Sequence, residues 1–539
     1  MNKSKRQFIA ELDDPRVACT RLDLGSAYPR DPPFHPDQIY AELGRLHPDG
    51  IPLSTVPNPV YAAVRRLFRS LGFDAENVGT AQWNPLKGLV KPGDVVVVKP
   101  NWVKECNLLD EDSWEEVITH PSVLRPIVDY VLLALEGEGR VIITDGPQTD
   151  SSFGRIMERI NAGSLEAHFG VIPGNVRVEI LDLRQEEHET RDGVVVRRRK
   201  LRGDPRGYVE YDLGLGSEFI GHRGRYFGAS FDVEETNRAH NGTTHLYRIS
   251  GTVACADVVI NVPKLKTHKK AGITCALKNM VGINGWKNYL PHHSEGTPSM
   301  GGDQFPWDSR RAWLEYHLMG RFKRVLNRSP EWVSKIMRFA KRPGRVVFGD
   351  TEEVVRSGNW YGNDTLWRMV LDLNKILLYG TRDARLEDLP VRRYLAVVDG
   401  IVGGEGNGPM CPDRVDSGIL LAGRNPVAVD LAAATVIGLD PRRMPSVRNG
   451  TRCRRWLLAR FHPDDAELVL DENETRPLWA VDPQNWVRFR PHFGWAGELE
   501  LKGPIGPGGF DAKTNYDIPA GVYSEAVGSS EFETVGDRN

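Results

Sequence analysis

The chain has 539 residues, 40% of them hydrophobic and 26% charged, which is the composition of a globular protein long enough for two or three domains. Its net charge of −2 excludes whole-protein attraction to nucleic acid. No run of about 20 apolar residues is present to span a bilayer, and the N-terminus has basic residues without an apolar stretch behind them, so the sequence predicts a cytoplasmic protein.

Six cysteines (Cys19, Cys106, Cys255, Cys275, Cys411, Cys453) lie far apart without a C-x-x-C pair. That spacing predicts free thiols and argues against an iron–sulfur cluster.

Residues 1–90 read as an irregular segment around one helix, Val60 to Leu71. Asp94 to Val98 is the first strong strand and runs into Lys99-Pro100-Asn101. A helix follows Thr119-His120-Pro121, because proline suits a first helical position and Leu124, Ile127, Val128, Val131, Leu132 and Leu135 keep helical spacing. Arg140 to Asp145 is the next strand. Strand, helix, strand over this length is a βαβ unit, so the fold class is α/β with a parallel sheet. Phe153 to Phe169 is predicted as a helix, Val176 to Leu183 as a strand, and Asp192-Gly193 as the turn of a hairpin within a polar decoration, residues 185–250.

The most informative stretch is Ala256 to Ser294. Asp257 to Val262 has the β-branched content of a buried strand, and Pro263 ends it because proline cannot donate to a ladder. Lys264, Lys266, Thr267, His268, Lys269 and Lys270 follow within seven residues. Ala271 to Gly282 reads as a short helix, and Lys287, Asn288, Tyr289, His292 and His293 close the stretch. Open α/β sheets place their sites at strand ends of this kind. The ends at Lys99 and Asn101, at Asp145, and at Asn261 to His268 are therefore expected to converge. A loop from Asp399 to Pro409 containing Glu405 is a fourth candidate, since its glycines suit close contact with an anion.

Between Ser309 and Arg345 eleven Arg or Lys face only Glu315 and Glu331, with Trp313, Tyr316, Phe322, Val325, Trp332, Ile336 and Phe339 at helical intervals. This insertion is either a surface for a membrane or an acidic protein, or a solvated helical hairpin. Later come a helix from Leu366 to Leu378, strands at Leu395 to Gly400 and Gly418 to Ala422, and a helix from Pro426 to Ile437 carrying Asp430. The organisation expected is 1–90, then 91–302, an insertion at 303–350, the rest of the core at 351–445, and an extension at 446–539. Two α/β lobes are expected.

Lys99-Pro100-Asn101, Asn261 to His268, Thr274 to Asn279, Asp364 to Asn374, Gly404 to Pro409 and Gly423 to Asp430 together resemble the family called domain of unknown function three-six-two, over roughly 94–445. Many members carry a ferredoxin module whose cysteine motif is absent here. His268-Lys-Lys-Ala271-Gly272 and Lys278, ten positions after His268, also resemble a segment of the nickel-pincer lactate racemase family. That resemblance implies His268 as acid/base, Lys278 as the anchor of a nucleotide cofactor, and His292 or His293 as a nickel ligand. The racemases' aspartate–arginine motif is not reproduced; Lys99 and Asn101 stand in the comparable strand.

The leading expectation is an enzyme for a small anionic hydroxylated substrate, a hydroxy acid or sugar acid, of racemase or epimerase type and holding a divalent metal. His268, Lys278 and Lys266 are its catalytic candidates. Lys99, Asn101, Lys264, Asn279, Asp145 and Glu405 are its binding candidates, and His292 and His293 its metal ligands. A transferase or ligase for a phosphorylated compound, and a non-catalytic assembly protein, are the alternatives.

Overall fold

The computed structural model describes residues 11–23, 28–191, 194–230, 232–308 and 354–510. The basic insertion at 309–345 and the turn at Asp192-Gly193 lie outside these residues.

Eleven strands form one sheet. In chain order they are β1 (Arg16–Arg21), β2 (Val95–Pro100), β3 (Arg140–Asp145), β4 (Arg177–Asp182), β5 (Val258–Val262), β6 (Lys264–His268), β7 (Gly272–Thr274), β8 (Arg393–Asn407), β9 (Cys411–Gly423), β10 (Glu467–Val469) and β11 (Thr475–Pro477). The order across the sheet is β11-β10-β1-β9-β8-β5-β2-β3-β4, with β6 on β8 and β7 on β6. From β8 to β4 every neighbour is parallel. β9 runs antiparallel between β8 and β1. Strands from both sides of the insertion thus share one sheet.

The β-branched runs are continuous because both faces of the parallel strands are covered. Val96 and Val98 of β2 join Val141, Ile143, Val258 and Ile260 in one core, while Val97 joins Ile142, Val259, Ala396 and Val398 in the other. This is the period-two alternation of a strand between two layers. Helices α1 (Pro59–Ser70) and α2 (Pro121–Leu135) cover the first face, and α4 (Leu366–Tyr379) and α5 (Pro426–Val436) the second; α3 (Ala276–Asn279) is a single turn below the sheet's edge with the second set. His120 caps α2, accepting from Ser122 N at 3.2 Å, with Pro121 at the first position as expected.

Several elements depart from the sequence reading. The segment 1–90 supplies β1, and the extension supplies β10 and β11; β1 and β10 are short and are recognised only through partners far along the chain, while β11 pairs locally with β10. Phe153 to Phe169 divides into helices Phe153–Arg159 and Ala162–Gly170, because Asn161 takes the left-handed conformation (φ 51°). Ala271 to Gly282 is β7, then α3, then a 3₁₀ turn over Met280–Ile283. The decoration forms two-stranded ribbons, Glu186–Arg191 with Val194–Lys200 and Tyr208–Asp212 with Leu246–Ser250. Among the described residues no helix is long and apolar enough to cross a membrane, and no disulfide joins any of the six cysteines.

Candidate functional site

Pro263 ends β5, and the chain shifts sideways so that β6 continues beside β8, with Lys264 opposite Asp399 and Lys266 opposite Gly404. All five residues of β6 are buried. A buried ammonium must find partners inside the protein, and two of the lysines have done so. Lys264 Nζ lies 2.7 Å from Asp399 Oδ2 and 2.8 Å from the Tyr28 hydroxyl. Lys266 Nζ donates to Asn101 Oδ1 at 3.1 Å and to the Val117 carbonyl. Burial, then the nearby Lys264, pushes Lys266 well below the ordinary amine range. Lys264, expected to bind substrate, and Lys266, expected to be catalytic, are thus both buried and engaged by interior partners.

The strand ends do converge. Lys99 Nζ reaches Asp145 Oδ1 at 2.8 Å and Asn279 Oδ1 at 3.2 Å, and Asn101 Nδ2 donates to the same Asn279 oxygen at 2.9 Å. Asp145 also accepts from Trp102 N (2.7 Å) and Gly146 N (2.8 Å). Lys99, Asn101, Asp145, Lys266 and Asn279 form one buried network that locks the ends of β2 and β3 to α3. Gly282 is required beneath it, since a Cβ there would stand 1.9 Å from Asp145 Oδ1.

Four long-range hydrogen bonds hold α3. Asp430 accepts from Ala276 N at 2.6 Å and from Leu277 N at 3.2 Å. Asn261 Nδ2 donates to Ala276 O and Asn374 Nδ2 to Leu277 O, both at 2.9 Å. Burial pushes the Asp430 carboxyl up to about 7 against these bonds and that of Cys275. Asp430→Ala is expected to cost about 1–3 kcal/mol in urea unfolding, because two buried N–H groups lose their acceptor, while Asp430→Asn keeps one acceptor and costs less. Equal losses would show that the cap is not what holds the turn.

The turn presents Lys278, which is half-buried. It makes no hydrogen bond or ion pair among the described residues. Burial, with the charges of Lys287 and Lys99, pushes its amine down to about 7. Its charge is also felt by Lys266, His268 and His292, which places it amid the cluster. Lys287 donates to Gly146 O at 2.7 Å and is lowered to about 8, chiefly by burial.

The histidines divide by which nitrogen is used. His268 Nδ1 accepts from Lys270 N (3.0 Å) and Ala271 N (3.1 Å), so the neutral ring carries its proton on Nε2 and can donate there. Burial, then Lys278, pushes its pKa well below the usual value. His292 has the opposite arrangement: Nδ1 lies 2.8 Å from Leu290 O, so it donates there and Nε2 keeps a lone pair. Its pKa is also pushed well down, by burial and then Lys270. His293, next along the strand, turns the other way and stacks on Phe227 at 4.9 Å.

The glycine stretch is not a loop. Gly403 to Asn407 lies within β8, paired with Cys411 to Val415 of β9. A Cβ on Gly403 would meet Phe489 at 2.4 Å, and one on Gly408 the Thr267 carbonyl at 1.9 Å, so these glycines serve packing. Glu405 accepts from Arg490 N at 2.7 Å, in a contact of the C-terminal extension. Both the anion loop and the substrate role of Glu405 are thereby corrected.

The residues present do not fit a protein-built metal site. Among the described residues no three His, Cys, Asp or Glu side chains are grouped to hold an ion, and His293 is directed away from His292.

A separate cleft of about 480 Å³, not visible in the sequence, lies between the loops after β2 and β3 and the Glu186–Lys200 ribbon. Its charges are compensated: Lys104 lies 3.6 Å from Asp150, Arg155 3.9 Å from Glu105, and Arg199 2.8 Å from Glu187.

Residues 206–435 match the family model described as Domain of unknown function (DUF362). The match includes β5 to β8, Lys278 and the histidines, whereas Lys99, Asn101 and Asp145 precede it. A protein of Synechocystis sp. named thylakoid-associated protein is 24% identical over 405 residues, covering 75% of this chain and 79% of that protein.

Proposed function

Because residues 206–435 of this chain belong to the DUF362 family and carry the half-buried amine of Lys278, we propose that the protein is an enzyme that binds a small anionic hydroxylated acid and moves a proton on it. The observation behind this reading is that Lys278 has no anionic partner among the described residues. A desolvated cation without a counter-ion is a site for an anion, and Lys287 adds to the same field.

A substrate carboxylate held there would lie beside two histidines in complementary states. His268 offers Nε2–H to a substrate oxygen, and His292 offers an Nε2 lone pair to a proton. The acid/base role expected of His268 thus passes in this reading to His292, since protonating His268 at Nδ1 would break two backbone hydrogen bonds. Racemase or epimerase chemistry is the reaction such a pair serves, supported by the His268-to-Lys278 spacing.

Oxalate binding measured by calorimetry is expected to weaken at least about tenfold, or 1.4 kcal/mol, in Lys278→Met. His292→Ala should keep oxalate binding and lose incorporation of solvent deuterium into a bound 2-hydroxy acid. Unchanged oxalate affinity in Lys278→Met would remove the basis of the proposal.

A second reading, contact with a membrane surface, is favoured by the name of the Synechocystis relative and by the basic composition of 309–345. Sedimentation with anionic vesicles is expected, weakening with salt and lost on deletion of 309–345. Equal binding to neutral vesicles, or no effect of the deletion, would count against it.

A further inference from the structure

Five lysines, Lys99, Lys264, Lys266, Lys278 and Lys287, occupy the strand ends, and four of them are committed. Lys99 is held by Asp145, Lys264 by Asp399, Lys266 by Asn101 and the Val117 carbonyl, and Lys287 by the Gly146 carbonyl. Lys278 alone has no acceptor among the described residues, and it is the least enclosed of the five. The turn that carries it is fixed just before it, at Ala276 and Leu277, by Asp430, Asn261 and Asn374. An amine on a fixed turn, short of acceptors and near other cations is stabilised as the free base, the form in which a lysine is a nucleophile.

We propose that the Lys278 amine condenses with the carbonyl carbon of a small hydroxylated oxo acid, such as a hydroxylated 2-oxo acid or an open-chain sugar acid, to form an imine. The inference rests on the proposed function and names its substrate class. In the first step the Nζ lone pair forms a bond to the carbonyl carbon, and one amine proton passes to the carbonyl oxygen, giving a carbinolamine. In the second the C–O bond breaks and the oxygen leaves as water with the remaining amine proton, leaving C=N. Lys287 and Lys99 have two effects here. They disfavour the ammonium form before reaction, and they attract the substrate carboxylate. The imine acidifies the adjoining carbon, where a lone pair such as that on His292 Nε2 can take a proton.

The test is reductive trapping with the full chain. Pyruvate and borohydride are added, and the product is read by intact mass and peptide mapping, beside calorimetric titration with oxalate, which binds as an anion but forms no imine. The expected result is one reduced pyruvyl group per chain, on Lys278, and protection by oxalate. Lys278→Arg keeps the positive charge, so it should still bind oxalate, more weakly, and should give no adduct. Oxalate binding without an adduct on Lys278, or adducts spread over many lysines, would overturn the imine and leave the anion site standing. Failure of oxalate to bind, together with no adduct, would overturn both.

Discussion

Asp399→Ala is expected to lower stability by about 3–5 kcal/mol, because it strands a buried charge instead of removing a contact. Asp399 and Lys264 are fully buried. The carboxylate accepts from Lys264 Nζ at 2.7 Å, from the Tyr28 hydroxyl at 2.5 Å and from His120 N at 2.9 Å. Without it, Lys264 retains Tyr28 and the Val402 carbonyl at 3.2 Å, neither of which carries charge. Burial already lowers the Lys264 amine, with Asp399 acting against that effect, so loss of the carboxylate drives the amine toward its neutral form. Tyr28 and His120 link the pair to the N-terminal segment and to the start of α2, and the loss should therefore appear as a shift of the whole urea transition. Combining Asp399→Ala with Lys264→Met should cost less than the sum of the two single changes, since the second removes the stranded charge. Strict additivity, or a single-variant loss below about 1 kcal/mol, would mean that the pair is not mutually dependent.

The same pair marks how far the sequence could be read. Strands β2, β3 and β5 were legible because their valines and isoleucines are covered on both faces and the pattern is local. The meeting of Lys99, Asn101, Asp145, Lys266 and Asn279 was also legible, as a consequence of parallel strands ending at one edge. What each lysine does there was not. Lys264 and Asp399 are 135 residues apart, and their partnership depends on the shift at Pro263 that seats β6 on β8. Asp430 reads only as a residue of its own helix, whereas its role is to hold Ala276 and Leu277, about 150 positions earlier. The glycines from Gly403 to Gly408 suggested an anion loop because a glycine required by tight packing and one required by a ligand look alike in sequence. The short strands β1 and β10 gave little local signal; Arg16 to Arg21 is ordered by β9 and β10 on its two sides.

Lys278→Met is expected to make the protein more stable near neutral pH while abolishing imine formation. The amine has a pKa of about 7 in the folded protein against the ordinary 10.5. Between these values the unfolded chain binds more protons than the native one, so this group makes stability rise with pH. At and below pH 7 both states hold the proton, and the native state then bears the full cost of an ammonium beside Lys287 and Lys99. Solvent reaching the half-buried side chain reduces that cost, so removing the charge should gain about 1–3 kcal/mol at pH 6–7. The gain should fade toward pH 10, where the unfolded chain's amine begins to lose its proton as well. Asp430 and Glu11, each raised to about 7, make stability fall with rising pH, but they do so in both proteins and drop out of the comparison. Urea midpoints for the two proteins at pH 6.5 and 9.5 give the measurement. A difference independent of pH, or a variant less stable at pH 6.5, would show that Lys278 is not held against its own solvation. A gain in stability coupled to loss of the adduct is the trade-off of a binding site, whose unpaired charge is useful only when a ligand arrives to neutralise it.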